Sequence, residues 1–405
     1  MVRLKGFAEL MPIDEARSKF YSALQLEKLD AVYVPTEEAL GLVTAKPVIA
    51  ERDSPPFDRS AVDGYALRAK DTFGASQHSP ETLRLVREDD VRSGELREIW
   101  TGESMPKGAD AVIMLEQAEK IGEKVQVFSS LPTGANVSRK AEDIEEGEVV
   151  VEEGERLKPQ HLGLLASIGI EKIAVTGRPR VALAATGSEL VPFGGKFEPH
   201  RIIEVNSLIL SGMCSELGAE AFSLGIAEDD ESEIEMKIRE GLARADLVIT
   251  TGGTSVGLHD LVPKVLEHIE PRCVIVHGVC MRPGMPTALA VIDNKPVIVL
   301  SGNPVAAMIG FEVFVRPLIG HLLGAKDTSR IKIRVRLTRR VAGALGRRVF
   351  LRVRIFEKDG RYLAEPVRAK GSGIITTVSR ADGYVIIPED REGLRDNEVV
   401  DAHLF

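Results

Sequence analysis

The sequence predicts an α/β and β multidomain protein. A central doubly wound parallel α/β domain is flanked by an irregular β-rich N-terminal region and a small C-terminal β-barrel or sandwich domain. Three observations carry this reading. Between residues 178 and 326, continuous apolar strands alternate with helical segments, the pattern of a parallel sheet covered on both faces. From 83 to 151, short strands of period two are punctuated by Pro/Gly turns, and period two returns from 331 onward. The expected divisions are a helical/β platform from 1–50 plus 141–177, a β-rich insert over 51–140, the α/β domain over 178–326, and the C-terminal domain over 331–405.

Each element has a local cause. A first helix is expected near 13–24, followed by the Pro-rich entry SPPFDRSAVDGYAL. Turns fall at Met105-Pro106-Lys107-Gly108 and Leu131-Pro132-Thr133-Gly134. Lys158-Pro159 starts another helix, because proline at the first helical position forfeits only an N–H that has no partner there. RVALAAT is a buried strand ending in GSEL, and Asn206 is placed to cap a helix that stops at Gly218. AEAFSLGI, ADLVITTGG, CVIVHGV and KPVIVL are the further strands. Helices follow near Ile234, Ile238 and Leu242, over 261–269, and over 304–323. In the C-terminal domain, Ile331, Ile333, Val335 and Leu337 alternate with charged residues, and Asp359-Gly360 suits a hairpin turn.

Composition narrows the function classes. A chain of 405 residues with 44% hydrophobic and 28% charged residues is expected to fold as several domains. No uninterrupted apolar run reaches bilayer-spanning length and no signal core is evident, so a cytoplasmic protein without a membrane partner is expected. The three cysteines, Cys214, Cys273 and Cys280, form no C-x-x-C pair and read as reduced thiols. A net charge of −9 argues against a nucleic-acid partner. Scarce Asn and Gln beside plentiful Glu, Lys and Arg hint at a thermophilic source.

Chemistry is expected where strands of the α/β domain end. Three loops lie there: Ala185-Thr186-Gly187-Ser188-Glu189, Thr250 to Gly257 within the stretch TTGGTSVGLHD that Asp260 closes, and Leu300-Ser301-Gly302-Asn303-Pro304. Glycine admits a close anion and a helix N-terminus adds positive potential, so the loops read as phosphate cradles with Gly252 and Gly253 at their centre. The second loop also matches G-x-S-x-G, which would make Ser255 a hydrolase nucleophile. Histidines follow at 259, 268, 277, 321 and 403, but none has an acidic partner in the required order. Asp260 is either a helix N-cap or a Mg²⁺ ligand beside a phosphate. Asp229 and Asp230 either favour a helix start or serve the site, and Asp63-Gly64 is either a turn or part of the chemistry. Arg282, stiffened by Pro283 and Gly284, is a candidate oxyanion ligand, with Arg59, Arg139 and Lys140 as further basic groups.

Eight stretches in order resemble the molybdopterin molybdenumtransferases, which complete molybdenum cofactor assembly, and the related C-terminal region of gephyrin. They are FDRSAVDGYAL, WTGESMPKGADAVIMLEQ, ATGSEL, VNS at 205–207, TTGGTSVGLHD, HGVCMRPGMPTAL, LSGNPVAAM and GSGIITT. The resemblance implies that adenylylated molybdopterin and molybdate are the substrates, that the pyrophosphate bond is cleaved, and that AMP is released. Mg²⁺ is the cofactor expected where Asp260 stands beside a phosphate loop, and a thermophilic source would admit tungstate as the oxyanion. It makes residues 178–326 the molybdopterin-binding domain and implies a homodimer in which the N-terminal region of one subunit faces the central domain of the other. Contacts with molybdopterin adenylyltransferase and apo-molybdoenzymes are implied as well. The family's acidic residues map to Asp63, Asp143, Glu189, Asp229 (or Asp230) and Asp260, with Thr101 nearby, and its basic residue before Pro-Gly maps to Arg282. This chain departs at Met285 and Gly278, where some members carry lysine, and at Ala141, where the family has glycine. A molybdopterin adenylyltransferase, a gephyrin-like scaffold and a serine hydrolase are the alternative readings.

Overall fold

The computed structural model describes residues 10–196, 199–253, 261–269, 272–367 and 373–405. Ser255 and Asp260 therefore lie outside the described residues.

The first helix, Ile13–Ser22, buries Ile13, Ala16 and Phe20 in the same core as Val181, Leu289 and Phe314 of the central domain. The segment that follows pairs Ala31–Pro35 with Lys172–Thr176, and Val48–Ile49 with Val149–Val151, each antiparallel. Helix Pro159–Ser167 begins with its proline as expected and packs Leu165 beside Leu157 and Val175. Between these halves lies a six-stranded sheet ordered Ala111–Met114, Gly64–Leu67, Glu95–Ile99, Glu81–Val86, Lys124–Val127, Ala118–Ile121. Gly64 opens its second strand against the Ile113 carbonyl, so closely that any side chain there would collide.

The central domain comprises β1 (Arg180–Thr186), α1 (Asn206–Glu216), β2 (Glu220–Ala227), α2 (Glu231–Arg244), β3 (Leu247–Thr251), α3 (Leu261–His268), β4 (Arg272–His277), β5 (Ala288–Ile292), β6 (Lys295–Leu300) and α4 (Pro304–Gly310). The sheet order is β2-β1-β3-β6-β5-β4. β2, β1, β3 and β6 are parallel, whereas β5 and β4 run antiparallel to their neighbours, so the sheet is mixed at one edge. Strand β5 is absent from the sequence reading. Its signal is Asp293-Asn294, both with positive φ (48° and 58°), the requirement of a two-residue hairpin turn. β1 and β3 are buried along nearly their whole length, which accounts for their uninterrupted apolar runs.

Asn206 is not a cap. It is the first helical residue of α1, and its side-chain amide instead donates to the Gly302 carbonyl at 2.9 Å. Gly218 ends the helix at φ +83°, as expected.

α4 continues through a π-helical turn at Phe311–Val315 into α5 (Arg316–Leu323). Residues 304–323, an apolar stretch interrupted by Glu312 and Arg316, are long and apolar enough to cross a membrane, yet 78% of the apolar window is buried inside the molecule. Glu312 within it is buried and accepts paired hydrogen bonds from both Arg316 and Arg330. It is a core helix.

The C-terminal domain is a barrel. Strand Arg348–Lys358 pairs with Arg361–Pro366 on one side and with Gly383–Ile387 on the other, and Lys332–Leu337 and Val399–Leu404 complete the circuit. Asp359 and Gly360 make its hairpin turn at φ 52° and 69°. Val335, Leu337, Val353, Ala364, Val385 and Ala402 fill the interior.

Candidate active site

The chain leaves β1 toward β2 on one side and returns to β3 on the other, so the switch point lies between β1 and β3. Ligands bind beyond the carboxyl ends of strands at such points. A cleft of about 890 Å³ opens there. Thr186, Gly187 and Glu189 come to it from the end of β1, Asp229 from the end of β2, Gly252 and Gly253 from β3, and Ser301 and Asn303 from β6. The described parts of all three loops expected from the sequence therefore converge.

The glycines act through space rather than through donated amides. The Gly187 and Gly252 N–H groups are already bonded, to the carbonyls of Ala227 (3.0 Å) and Leu300 (3.1 Å). A Cβ on Gly253, at φ +62°, would stand 2.6 Å from the Val262 methyl and 2.9 Å from Thr186 Oγ1. A Cβ on Gly187 would stand 2.6 Å from the Glu189 carboxylate. These positions let loops approach one another and keep the cleft floor open. The first turn of α4, entered through Asn303 and Pro304, supplies the helix N-terminus that favours an anion.

The Asp229/Asp230 alternative is decided by geometry. Asp230 caps α2, its carboxylate accepting from the Glu233 amide at 3.0 Å. Asp229 lines the cleft, where its carboxylate accepts from the Ser188 amide at 3.1 Å, while its own amide donates to Ser188 Oγ at 3.1 Å. Ser188 thus stitches the β1 and β2 loops together and is not among the cleft-lining residues. No histidine lines this cleft among the described residues; Ser255 and His259 both lie outside them.

A second cleft, also about 890 Å³, lies between the central domain and the barrel. Pro286, Ser301 and Asn303 border both, so the two are contiguous. Arg282, Pro283 and Met285 line one wall of the second cleft, and Arg339, Arg340, Arg347 and Arg352 the other, with no carboxylate among the described lining residues. Arg352 Nε is buried without a hydrogen-bond partner. Burial, then the like charge of Arg282, pushes the Arg352 pKa below the ordinary guanidinium value. A desolvated guanidinium with a like charge beside it, on a wall lined by further arginines, marks a place for an anion. The four barrel arginines were not anticipated; their signal is the density of arginine from 334 to 354 in an otherwise acidic chain.

Asp63, Thr101 and Asp143 line neither cleft. Asp63 Oδ1 accepts from both the Thr101 amide (2.8 Å) and hydroxyl (2.7 Å), which holds its pKa below the usual carboxylate value. Lys140 pairs with Asp53 at 3.0 Å, and its amide donates to Asp58 at 2.8 Å. Asp143 is exposed, and Ala141, two residues earlier, sits at φ +60°, where the glycine of the family pattern would be unstrained.

Comparison with known proteins agrees along the whole chain. Residues 11–169 match the MoeA N-terminal region (domain I and II), 182–321 the family described as "Probable molybdopterin binding domain", and 334–405 the MoeA C-terminal region (domain IV). A protein of Methanocaldococcus jannaschii named "Putative molybdopterin biosynthesis protein" is 36% identical over 99% of this chain and 100% of its own length. The molybdopterin molybdenumtransferase of Bacillus subtilis is 31% identical over 98% and 94%. A crystal structure of the molybdopterin biosynthesis MoeA protein from Pyrococcus horikoshii superposes with a TM-score of 0.84 at 32% identity, covering 98% of this chain and all of that one. The chain belongs to the molybdopterin molybdenumtransferase (MoeA) family.

Proposed function

We propose that the protein inserts molybdenum, taken from molybdate, into molybdopterin, using the adenylylated pterin and releasing AMP. The observation that carries this reading is the pair of contiguous clefts. One is ringed by strand-end loops and a helix N-terminus and suits a phosphorylated ligand; the other is lined by arginines and suits a small oxyanion. Their shared border at Ser301 and Asn303 would bring the oxyanion next to the pterin.

The donor chemistry of the first cleft fits Mg²⁺. Among the described residues no three His, Cys, Asp or Glu side chains form a ready-made metal centre. Mg²⁺ at phosphates, however, takes only one or two carboxylates and completes its shell with water and phosphate oxygen. Glu189 and Asp229, together with Asp260, would hold it. Bound there, the ion would neutralise charge as the phosphorus–oxygen bond breaks. Arg282 and Arg352 would fix the oxyanion, and Thr186, Ser301 and Asn303 would orient the phosphate.

Asp63, Asp143 and Thr101 enter the same reading through a homodimer. Lining neither cleft of their own chain, they would serve the cleft of the other subunit, where ionised Asp63 would orient a water or the oxyanion. A cytoplasmic location belongs to this reading too. Tungstate shares the charge and shape of molybdate and is the natural competitor, while docking to an adenylyltransferase or an apo-molybdoenzyme would pass the labile pterin along.

The test is incubation with adenylylated molybdopterin, Mg²⁺ and molybdate. Oxyanion-dependent AMP release is expected. Adenylylation of molybdopterin by ATP without AMP release would instead identify an adenylyltransferase, and absence of both activities beside tight peptide binding a scaffold.

A further inference from the structure

Arg282 reaches the basic cleft from Met281–Arg282, a two-residue strand at the edge of the barrel sheet. Residues 278–282 are gripped from two sides. On one side Met11 donates its amide to the Gly278 carbonyl (3.1 Å) and accepts from the Cys280 amide (2.8 Å). On the other, Met281–Arg282 pairs in parallel with Arg348 and Val349 at the start of the long barrel strand, and the Arg348 amide donates to the Cys280 carbonyl at 3.0 Å. The two grips come from opposite ends of the chain.

One side chain joins them. The Arg348 guanidinium donates to Glu389 of the barrel at 3.0 and 2.9 Å, and to Asp14, in the first turn of helix Ile13–Ser22, at 2.7 and 3.3 Å. Its side chain is only 22% exposed. Both carboxylates are held below their usual pKa range by this arginine, and its own pKa is raised. A planar fork with five donors spans two carboxylates at once, which a lysine ammonium cannot reproduce.

We propose that Arg348 is a positioning residue for oxyanion binding. By locking the N-terminal helix to the barrel across the Met281–Arg282 segment, it sets the spacing between Arg282 on one wall of the basic cleft and Arg347 and Arg352 on the other. This rests on the reading of that cleft as the oxyanion site. It touches neither ligand itself. Loosening the clamp separates the two walls and weakens oxyanion binding, while the pterin-phosphate cleft, built from β1, β3 and β6, keeps its geometry.

The experiment compares Arg348→Gln and Arg348→Lys with the wild-type chain. Molybdate binding is measured by equilibrium dialysis, and AMP release is followed while molybdate and adenylylated molybdopterin are varied separately. Arg348→Gln is expected to weaken molybdate binding about tenfold and to raise its KM alike, with kcat and the KM for the pterin substrate within about twofold. Arg348→Lys is expected to recover part of the loss, and Asp14→Asn to reproduce a smaller share of it. Unchanged molybdate affinity in Arg348→Gln would overturn the proposal, as would equal rises in both KM values, which denote general loosening. Dialysis separates this inference from the function itself: molybdate binding that depends on Arg348 supports the clamp even if no AMP is released.

Discussion

Replacing Gly253 with alanine tests whether the strand-end loops form the reactive cleft. The new methyl would lie 2.6 Å from a Val262 methyl, where carbon atoms prefer about 3.5–4.0 Å, so roughly 1 Å of movement is forced. Val262 is fully buried on α3 and cannot yield, so the loop must. The φ of +62° adds about 1–2 kcal/mol of left-handed strain, and overpacking adds about 1–3 kcal/mol. A displacement of about 1 Å at a reacting centre costs on the order of 10²-fold in rate. The expected result is AMP release lowered about a hundredfold, with a melting temperature lower by several degrees. Gly122→Ala is the control, because Gly122 has the same φ of +62° but nothing within 4 Å of its added Cβ. It pays the strain alone, and its activity is expected to match wild type. Wild-type AMP release by folded Gly253→Ala would refute the assignment of this cleft.

Three further outcomes are expected. Arg352→Gln removes a charged donor worth about 1.5–3 kcal/mol, so molybdate KM should rise by roughly ten- to a hundredfold in steady-state assays, with the pterin KM unchanged. Asp63→Asn and Gly253→Ala subunits are each expected to release AMP slowly alone, Gly253→Ala at about a hundredth of the wild-type rate, whereas refolding them together should restore activity, since a mixed dimer keeps one site intact; no recovery on mixing would place Asp63 in its own subunit's chemistry or outside it. Ala141→Gly relieves about 1–2 kcal/mol of left-handed strain against a glycine entropy cost of about 0.5–1 kcal/mol, so urea denaturation should show a gain of about 0.5–1 kcal/mol in the N-terminal region.

The α/β domain was legible because both faces of β1 and β3 are covered, so their residues must be apolar regardless of context. Helix starts and stops at Pro159 and Gly218, and the hairpin at Asp359-Gly360, follow from backbone rules that act within a few residues. The glycine loops and the carboxylates at Glu189 and Asp229 could be named for the same reason, since strand ends announce themselves locally. Strand β5 escaped because its turn, Asp293-Asn294, lacks the usual glycine, and its five buried residues carry no alternation.

What tertiary structure alone decided are the choices between neighbours and the meetings of distant residues. Asp229 and Asp230 are indistinguishable in sequence; only the direction of α2 sends one to the cap and the other to the cleft. Asn206 has the right chemistry for a cap, yet the approach of the β6 loop gives its amide a carbonyl instead. The basic cleft draws on Arg282 and Arg352, seventy residues apart, and its clamp on Asp14, Arg348 and Glu389. A sequence records which side chains are available, and short-range backbone preferences say where strands and turns begin. Which charges end up facing one another is decided by the packing of whole domains, whose cores contain no trace of the charges they bring together.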